Sequence, residues 1–408
     1  MTRVVVIGGG YAGIACLAEL RVHLPAAELH LIDPAPWHLK LTRLHEAASR
    51  PLDELRVPFA HVVERLNAVH HAAAAGETGR FDTADIAAWS AAGAVPVLPT
   101  DGSGMFELPF DYLIVATGAS PAVSAPMVEE APADDPPRLF ALDALRTLEL
   151  RETLRELAAG RDPGDDFRVS VVGAGASGIQ YAFELAEAVR RLGFPAAVRV
   201  LDVDRHVLPE MPSRVHRYVL ERMRLAGIEW LPGCRFLRQA GDVLHYQVEA
   251  RTENVRRSRS SPCCWRGSSA YPEALIATNR FGQTPGGGAL RWQNVLAAGD
   301  CAVYWTRPVR MRPRRRSRCA RASTCRGQRQ PDSPTAPGSA GPGCSRELGY
   351  VVSLGAVDAV GWVFTAGPSV LTGMACGRVS RVWWMRSTTL YLEGIDTYRG
   401  VIGRRLSQ

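Results

Sequence analysis

Lysine is all but missing from this 408-residue chain, where Lys40 stands alone beside 47 arginines. Such a bias speaks for a GC-rich coding sequence rather than for a surface built to be cationic. The formal charge of +7 is also local: eleven arginines face the single acid Asp332 between Thr306 and Arg346, and the rest of the chain is slightly acidic. The basic block Arg307–Arg329 has no interleaved aromatics. A basic arm binding phosphates is the rival reading of that block, but no nucleic-acid partner is expected. Nine cysteines, an odd number, show no framework spacing and no C-x-x-C, so a reducing compartment is the default expectation. His38 and His45 lack acidic partners at ligand spacing, so no metal is expected. No apolar run is long enough to span a bilayer, and the N-terminus does not resemble a cleavable signal.

What is present begins at once. Arg3 to Ile7 is a β-branched run suited to an inner strand of a parallel sheet. Gly8, Gly10 and Gly13 follow in the spacing G-x-G-x-x-G, with Tyr11 and Ala12 between them. Gly8 allows a tight turn, Gly10 allows backbone to approach a pyrophosphate, and Gly13 allows close packing of the next helix on the sheet. The helix N-terminus then faces the phosphates. A second run, Glu28 to Ile32, ends in Asp33, placed to accept hydrogen bonds from a ribose. A glycine-rich turn alone would be weak; strand, helix and terminal acid in this order make a dinucleotide site.

The same unit returns later. Arg168 to Val172 reads as a strand, Gly173, Gly175 and Gly178 repeat the spacing, Ile179 to Arg191 reads as helix, and Ala197 to Leu201 ends in Asp202. Two dinucleotide sites in one chain imply two dinucleotides brought together for electron transfer. Asp202 favours an unphosphorylated ribose, hence NAD over NADP, although Arg199 and Arg205 lie nearby. Two smaller landmarks accompany these units. Tyr112 to Ala116 is a buried strand running into Thr117 and Gly118, and Val295 to Ala298 is another, running into Gly299 and Asp300. Between them, Ala119 to Asp166 is a Pro- and acid-rich linker containing a helix near Leu142 to Ala158, and Asn67 to Met105 carries little strand signal.

With both glycine loops, Val115 to Gly118 and the late Ala-Ala-Gly-Asp-Cys-Ala in place, the chain resembles the flavoproteins of the pyridine nucleotide–disulfide oxidoreductase superfamily. Within it, it is most similar to type II NADH:quinone oxidoreductases. The resemblance implies an α/β fold of two Rossmann-like domains with parallel sheets and a C-terminal helical, membrane-facing region. It implies FAD on Gly8, Gly10, Tyr11, Ala12, Gly13, Asp33, Thr117, Gly118, Gly299 and Asp300, and NADH on Gly173, Gly175, Gly178 and Asp202. The implied division is an FAD domain over 1–120 with a return segment 286–305, an NAD domain over 121–285, an irregular segment 306–346 and a C-terminal region 347–408. Implied partners are NADH, a quinone and the membrane surface, on the inner face of the cell membrane for an otherwise cytoplasmic protein. Trp383, Trp384, Leu390 and Tyr391 beside Arg378, Arg381 and Arg386 suit a helix lying in the interface, a dimer contact being the other reading.

The resemblance lapses in four places. Neither Thr252–Tyr271 nor Arg307–Ser345 has the pattern of a core element; both are Arg- and Ser-rich, with the composition of a GC-rich gene read out of frame. Gln180 stands where many type II enzymes have Glu. The paired redox cysteines of the disulfide reductases are missing, since no cysteine lies between Cys16 and Cys234. Alternatives to quinone reduction are a sulfide:quinone or ferredoxin-type reductase and an inactive relic.

Overall fold

The computed structural model describes residues 1–49, 51–119, 139–141, 144–159, 167–193, 198–240, 243–248, 255–259, 263–265, 276–278, 294–304, 349–355, 358–363 and 374–376. Two parallel-rich sheets carry the chain. In the first, the strand order is Val295–Ala297, Tyr112–Val115, Arg3–Ile7, Glu28–Asp33, Ala68–Ala75, Ala94–Pro99, Phe106–Pro109. The first five run parallel, and Ala94–Pro99 and Phe106–Pro109 are added as an antiparallel meander. The opening strand lies in the middle, and its Val4, Val5 and Val6 are all buried, as a strand covered on both faces requires. In the second sheet the order is Glu229–Pro232, Val198–Asp202, Val169–Val172, Cys263–Trp265, Leu139–Ala141, parallel throughout. Each glycine-loop strand therefore has a neighbour on both sides, and its carboxyl end opens onto the crevice where such sheets bind ligands.

The helices that follow are held close to the sheets. The opening helix spans Tyr11–His23, and its Arg21 donates to the carbonyls of Pro25, Ala27, Leu66 and Asn67, tying its C-terminal end to the end of helix Phe59–Leu66. The corresponding helix of the second unit is Ala176–Arg191. Helix Ala144–Ala159 falls where leucine spacing places it.

Three expectations change. The alanine-rich stretch after Asn67 builds strands Ala68–Ala75 and Ala94–Pro99 around helix Thr83–Ala92, which Asp82 and Asp85 cap reciprocally. Alanine gives no β-branched signal, so the sheet itself imposes these strands. Within Thr252–Tyr271, Val255–Arg259 pairs with Val243–Val248, and Cys263–Trp265 fills the second sheet between Val169–Val172 and Leu139–Ala141. The ladder is made of backbone groups, which a poor side-chain pattern does not remove. In the C-terminal region the described parts are strands, Gly349–Ser353, Ala359–Val363 and Met374–Cys376 in one antiparallel sheet, where a helical region was expected. Residues 305–348 and 377–408, including the arginine block and the Trp383–Tyr391 stretch, lie outside the described residues. Among the described residues no helix is long and apolar enough to cross a membrane.

The close packing of helix on loop is the testable part of this architecture. A Cβ on Gly178 would stand 1.8 Å from the Gly173 carbonyl oxygen, which is backbone and cannot yield. Gly178→Ala is expected to lower stability by about 1–3 kcal/mol despite alanine's better helix propensity, read as a lower unfolding midpoint in denaturant. An unchanged midpoint would mean the helix does not sit this close.

Candidate functional site

The two glycine loops turn off their strands in the same way. Gly8 N–H donates to the Ile32 carbonyl at 2.8 Å, and Gly173 N–H donates to the Leu201 carbonyl at 2.8 Å. Gly8 and Gly173 have φ of +100° and +104°, a region open to glycine but costly for side chains. Gly10 and Gly175 are the extended residues that start the two helices, and neither helix has a side-chain cap. Around Gly10 nothing lies within 4 Å of where a Cβ would point, so the first helix N-terminus faces open space. Uncapped N–H groups, a helix dipole and room for phosphate are what a pyrophosphate needs.

The acids at the ends of the second strands are fixed as a pair of matching turns. Asp33 accepts from Gly9 N–H at 2.7 Å and from Ala35 N–H at 2.9 Å. Asp202 accepts from Ala174 N–H at 2.6 Å and from Asp204 N–H at 2.8 Å. Each carboxylate is thereby locked against its own loop with lone pairs left over for a ribose. Burial pushes the Asp33 carboxyl up, while the Gly9 and Ala35 N–H groups and the charge of His70 pull it down. Arg199, which sequence placed near the NAD ribose, is instead buried within its strand, 3.9 Å from Glu229. Arg205 remains exposed at the tip.

The smaller landmarks join the first loop. A Cβ on Gly8 would lie 2.6 Å from the Ala116 carbonyl oxygen, and one on Gly299 would lie 2.8 Å from the Ala12 Cβ. Ala298 N–H donates to the Val115 carbonyl. Gly8, Gly10, Tyr11, Ala12, Gly13 and Asp33 are thus gathered with Thr117, Gly118, Gly299 and Asp300 at the carboxyl ends of adjacent strands. Gly173, Gly175, Gly178 and Asp202 are gathered separately on the second sheet. Cys301, behind Asp300, is buried against Thr117 and Gly118, and that burial pushes its thiol up.

His38 carries more than the sequence showed. Its Nδ1 lies 2.9 Å from the Gly9 carbonyl oxygen and its ring meets Tyr11 edge-on at 4.7 Å. The carbonyl can only accept, so Nδ1 holds the proton of the neutral ring. The Gly9 peptide is clamped from both sides, by Asp33 at N–H and His38 at C=O. In the second loop the matching Ala174 carbonyl is met by the backbone N–H of Leu208 at 2.9 Å. A short 3-10 helix, Leu41–Ala48, then connects the two units. Tyr11 Oη lies 2.9 Å from Thr42 Oγ1. His45 Nε2 lies 3.0 Å from Ser353 Oγ, which accepts from Gln180 Nε2 at 3.2 Å, and Ser49 Oγ donates to Glu184 Oε2 at 2.7 Å. No motif in the sequence announces these bonds, because the partners are up to 308 residues apart.

Paired parallel sheets with one dinucleotide loop each define a two-dinucleotide α/β protein of the oxidoreductase class. The chain belongs to the pyridine nucleotide-disulphide oxidoreductase family, whose pattern matches residues 2–328. Its cofactors are accordingly FAD and a nicotinamide nucleotide. No curated protein sequence matches it. Among solved structures it is similar in fold to NDH2 of Plasmodium falciparum in complex with NADH, at 11% identity, TM-score 0.72 and 98% of both chains. It is similar also to the sulfide:quinone oxidoreductase of Aquifex aeolicus, at 16% identity, TM-score 0.71, 97% of this chain and 91% of that one. The water-forming NADH oxidase of Lactobacillus brevis bound to NADH matches less of it, at 17% identity, TM-score 0.54, 74% of this chain and 63% of that one.

The loop clamp makes a pH prediction. Burial, with Lys40 nearby, lowers the His38 imidazole to about 4, against the Gly9 carbonyl, which favours the charged form. In the unfolded chain His38 titrates near 6.5 (approximately the free value), so the unfolded state binds the proton first as pH falls. His38's contribution is full above about pH 6.5 and is lost as pH falls towards about 4, at a cost of up to roughly 3 kcal/mol. His71, also lowered to about 4 chiefly by burial, acts in the same direction. The urea midpoint is expected to fall between neutral pH and about pH 5, and to fall less in His38→Gln. Equal falls would show that His38 is not the buried neutral group.

Proposed function

We propose that the chain takes hydride from NADH and passes the electrons through FAD to a membrane quinone, in the manner of a non-proton-pumping NADH dehydrogenase. The observation that carries this reading is the extent of the likeness. Two of the solved structures that match over nearly the whole chain are, by their names, an NADH-bound NDH2 and a sulfide:quinone oxidoreductase. The oxidase matches a smaller share, 74% of this chain. FAD supplies the hydride-accepting ring, so the side chains have mainly to bind, orient and shield.

In this reading residues 1–120 with 286–305 hold FAD and 121–285 hold NADH. The N–H groups opening helix Tyr11–His23 meet the FAD pyrophosphate across Gly10, and Asp33 accepts from the adenosine ribose. Asp300, carried to the crevice by Gly299, accepts from the flavin's hydroxyl chain, with Thr117 and Gly118 as its neighbours. Gly173, Gly175 and Gly178 seat the NADH pyrophosphate, and Asp202 accepts from its ribose. With Arg199 turned into the sheet, Arg205 is the cation left to greet a 2′-phosphate, and the balance favours NADH. The quinone would approach from the membrane, on which the C-terminal region lies; a dimer contact is the other use for that surface. Sulfide as electron donor is disfavoured, because Cys301, a thiol packed against Thr117 and Gly118, is buried and pushed up in pKa, the opposite of a reactive thiolate.

The test is anaerobic. NADH should bleach the flavin absorbance of the purified chain, and a short-chain quinone should restore it. Bleaching that quinones do not reverse would leave an NADH-dependent flavoprotein with another acceptor; bleaching by sulfide and not by NADH would favour the sulfide reading. Asp202→Ala is expected to raise the KM for NADH by about tenfold or more, with a smaller change in kcat, since it removes hydrogen bonds to a non-reacting part of the substrate.

A further inference from the structure

We infer that His45 is the proton-holding group between the two dinucleotide sites, taking up a proton when a hydride passes from the second site to the first. The inference rests on the NADH reaction proposed above and adds a residue to it. The 3-10 helix bearing His45 is linked to the helix that follows each glycine loop. Its Thr42 meets Tyr11, the first residue of the first loop's helix, and its His45 reaches Gln180, in the second turn of the second loop's helix, through Ser353.

All three members of that chain are buried, His45 at 3%, Ser353 at 0% and Gln180 at 9% exposure. They lie among Leu44, Ala47, Ala48 and Ile179 of one apolar cluster. Packing alone would be served as well by three apolar side chains, since buried polar groups cost desolvation that their bonds only offset. The arrangement of donors suggests what is gained. Gln180 Nε2 is a donor, so it occupies one lone pair of Ser353 Oγ. When His45 Nε2 is bare, the Ser353 hydroxyl donates to it. When Nε2 is protonated, the hydroxyl turns away and its second lone pair accepts. Both charge states keep the bond with no heavy atom moving, which is what a site that gains and loses a proton needs.

The described elements packed around His45 bring the following charged and titratable groups. On its own element Arg43 is paired with Glu46 at 2.6 Å. From helix Ala176–Arg191 come Glu184, held by Ser49, and the Tyr181 ring at 6.3 Å. Strand Gly349–Ser353 contributes Ser353, and the next acid along, Asp358, is bound by Tyr218 and Arg222. Helix Ala144–Ala159, packed on the same 3-10 helix, buries Leu150, Thr153 and Leu154 and leaves Glu152, Arg155 and Glu156 exposed.

The charge that moves in the step gives such a group a use. A hydride carries two electrons and one proton out of NADH, leaving NAD+, so the receiving site becomes one negative charge richer. A proton drawn from solvent onto His45 offsets that charge across a weakly screening interior. A quinone taking two electrons also takes two protons: one arrives with the hydride, and the one on His45 is the second.

The experiment counts protons. The flavin-loaded full chain is reduced anaerobically with one equivalent of NADH in weakly buffered solution near pH 7.5, where a free imidazole is largely neutral, with an indicator dye reporting uptake. The wild type should take up about one proton more per flavin bleached than His45→Gln. Equal uptake in the two would overturn the inference even if NADH bleaches both. If NADH bleaches neither, the reaction proposed above fails, and reduction with dithionite makes the same comparison of proton counts. Should His45→Gln not retain flavin, Ser353→Ala keeps the imidazole but removes its partner. It should shift the pH at which uptake appears by about a unit, and an unshifted profile would contradict the role given to the hydroxyl.

Discussion

The contact between each loop's first glycine and the third glycine of its motif, on the helix that follows, is the constraint on which the remaining structure depends. Where a Cβ on Gly13 would stand 1.9 Å from the Gly8 carbonyl oxygen, and one on Gly178 would stand 1.8 Å from that of Gly173, only hydrogen fits. Because the helix can come so close, its N-terminus points along the crevice at the strand ends. The carboxylate of the next strand can then reach back to the loop peptide. Strand order, the uncapped helix start and the position of the acid all follow from that approach.

The two loops share this core and differ in what holds their outer edge. In the second, the Ala174 carbonyl is satisfied by the Leu208 backbone; in the first, the Gly9 carbonyl is satisfied by a side chain, His38, which burial keeps neutral. The first loop is therefore coupled through His38 and Thr42 to the segment after Asp33, and through His45 and Ser49 that segment is coupled to the helix of the second loop. Local packing and the relation between the two dinucleotides share one short stretch of chain, residues 38–49.

That stretch also marks the limit of what could be read from sequence. The glycine spacings, Asp33, Asp202 and Gly299–Asp300 were legible because each needs a particular residue at a particular place near it in sequence. The helix Ala144–Ala159 was legible from its leucines. His38, His45 and Gln180 were not, since their meaning lies in partners far along the chain. The alanine strands after Asn67 and the strand Cys263–Trp265 were hidden for another reason: their place is imposed by the ladder they join, and composition argued against them. Of the region after Ser345, sequence suggested helix where the described part is an antiparallel sheet.

The central claim is that one chain holds two different dinucleotides at once, each on its own glycine loop. It is tested most directly by counting them: NAD+ titrated into the flavin-retaining chain by calorimetry, beside the same titration on Gly178→Val and a flavin assay of Gly13→Val. The account predicts one bound NAD+ per FAD, loss of NAD+ binding with flavin retained in Gly178→Val, and loss of flavin in Gly13→Val. NAD+ that displaces the flavin, or that still binds when Gly178 is valine, would contradict it.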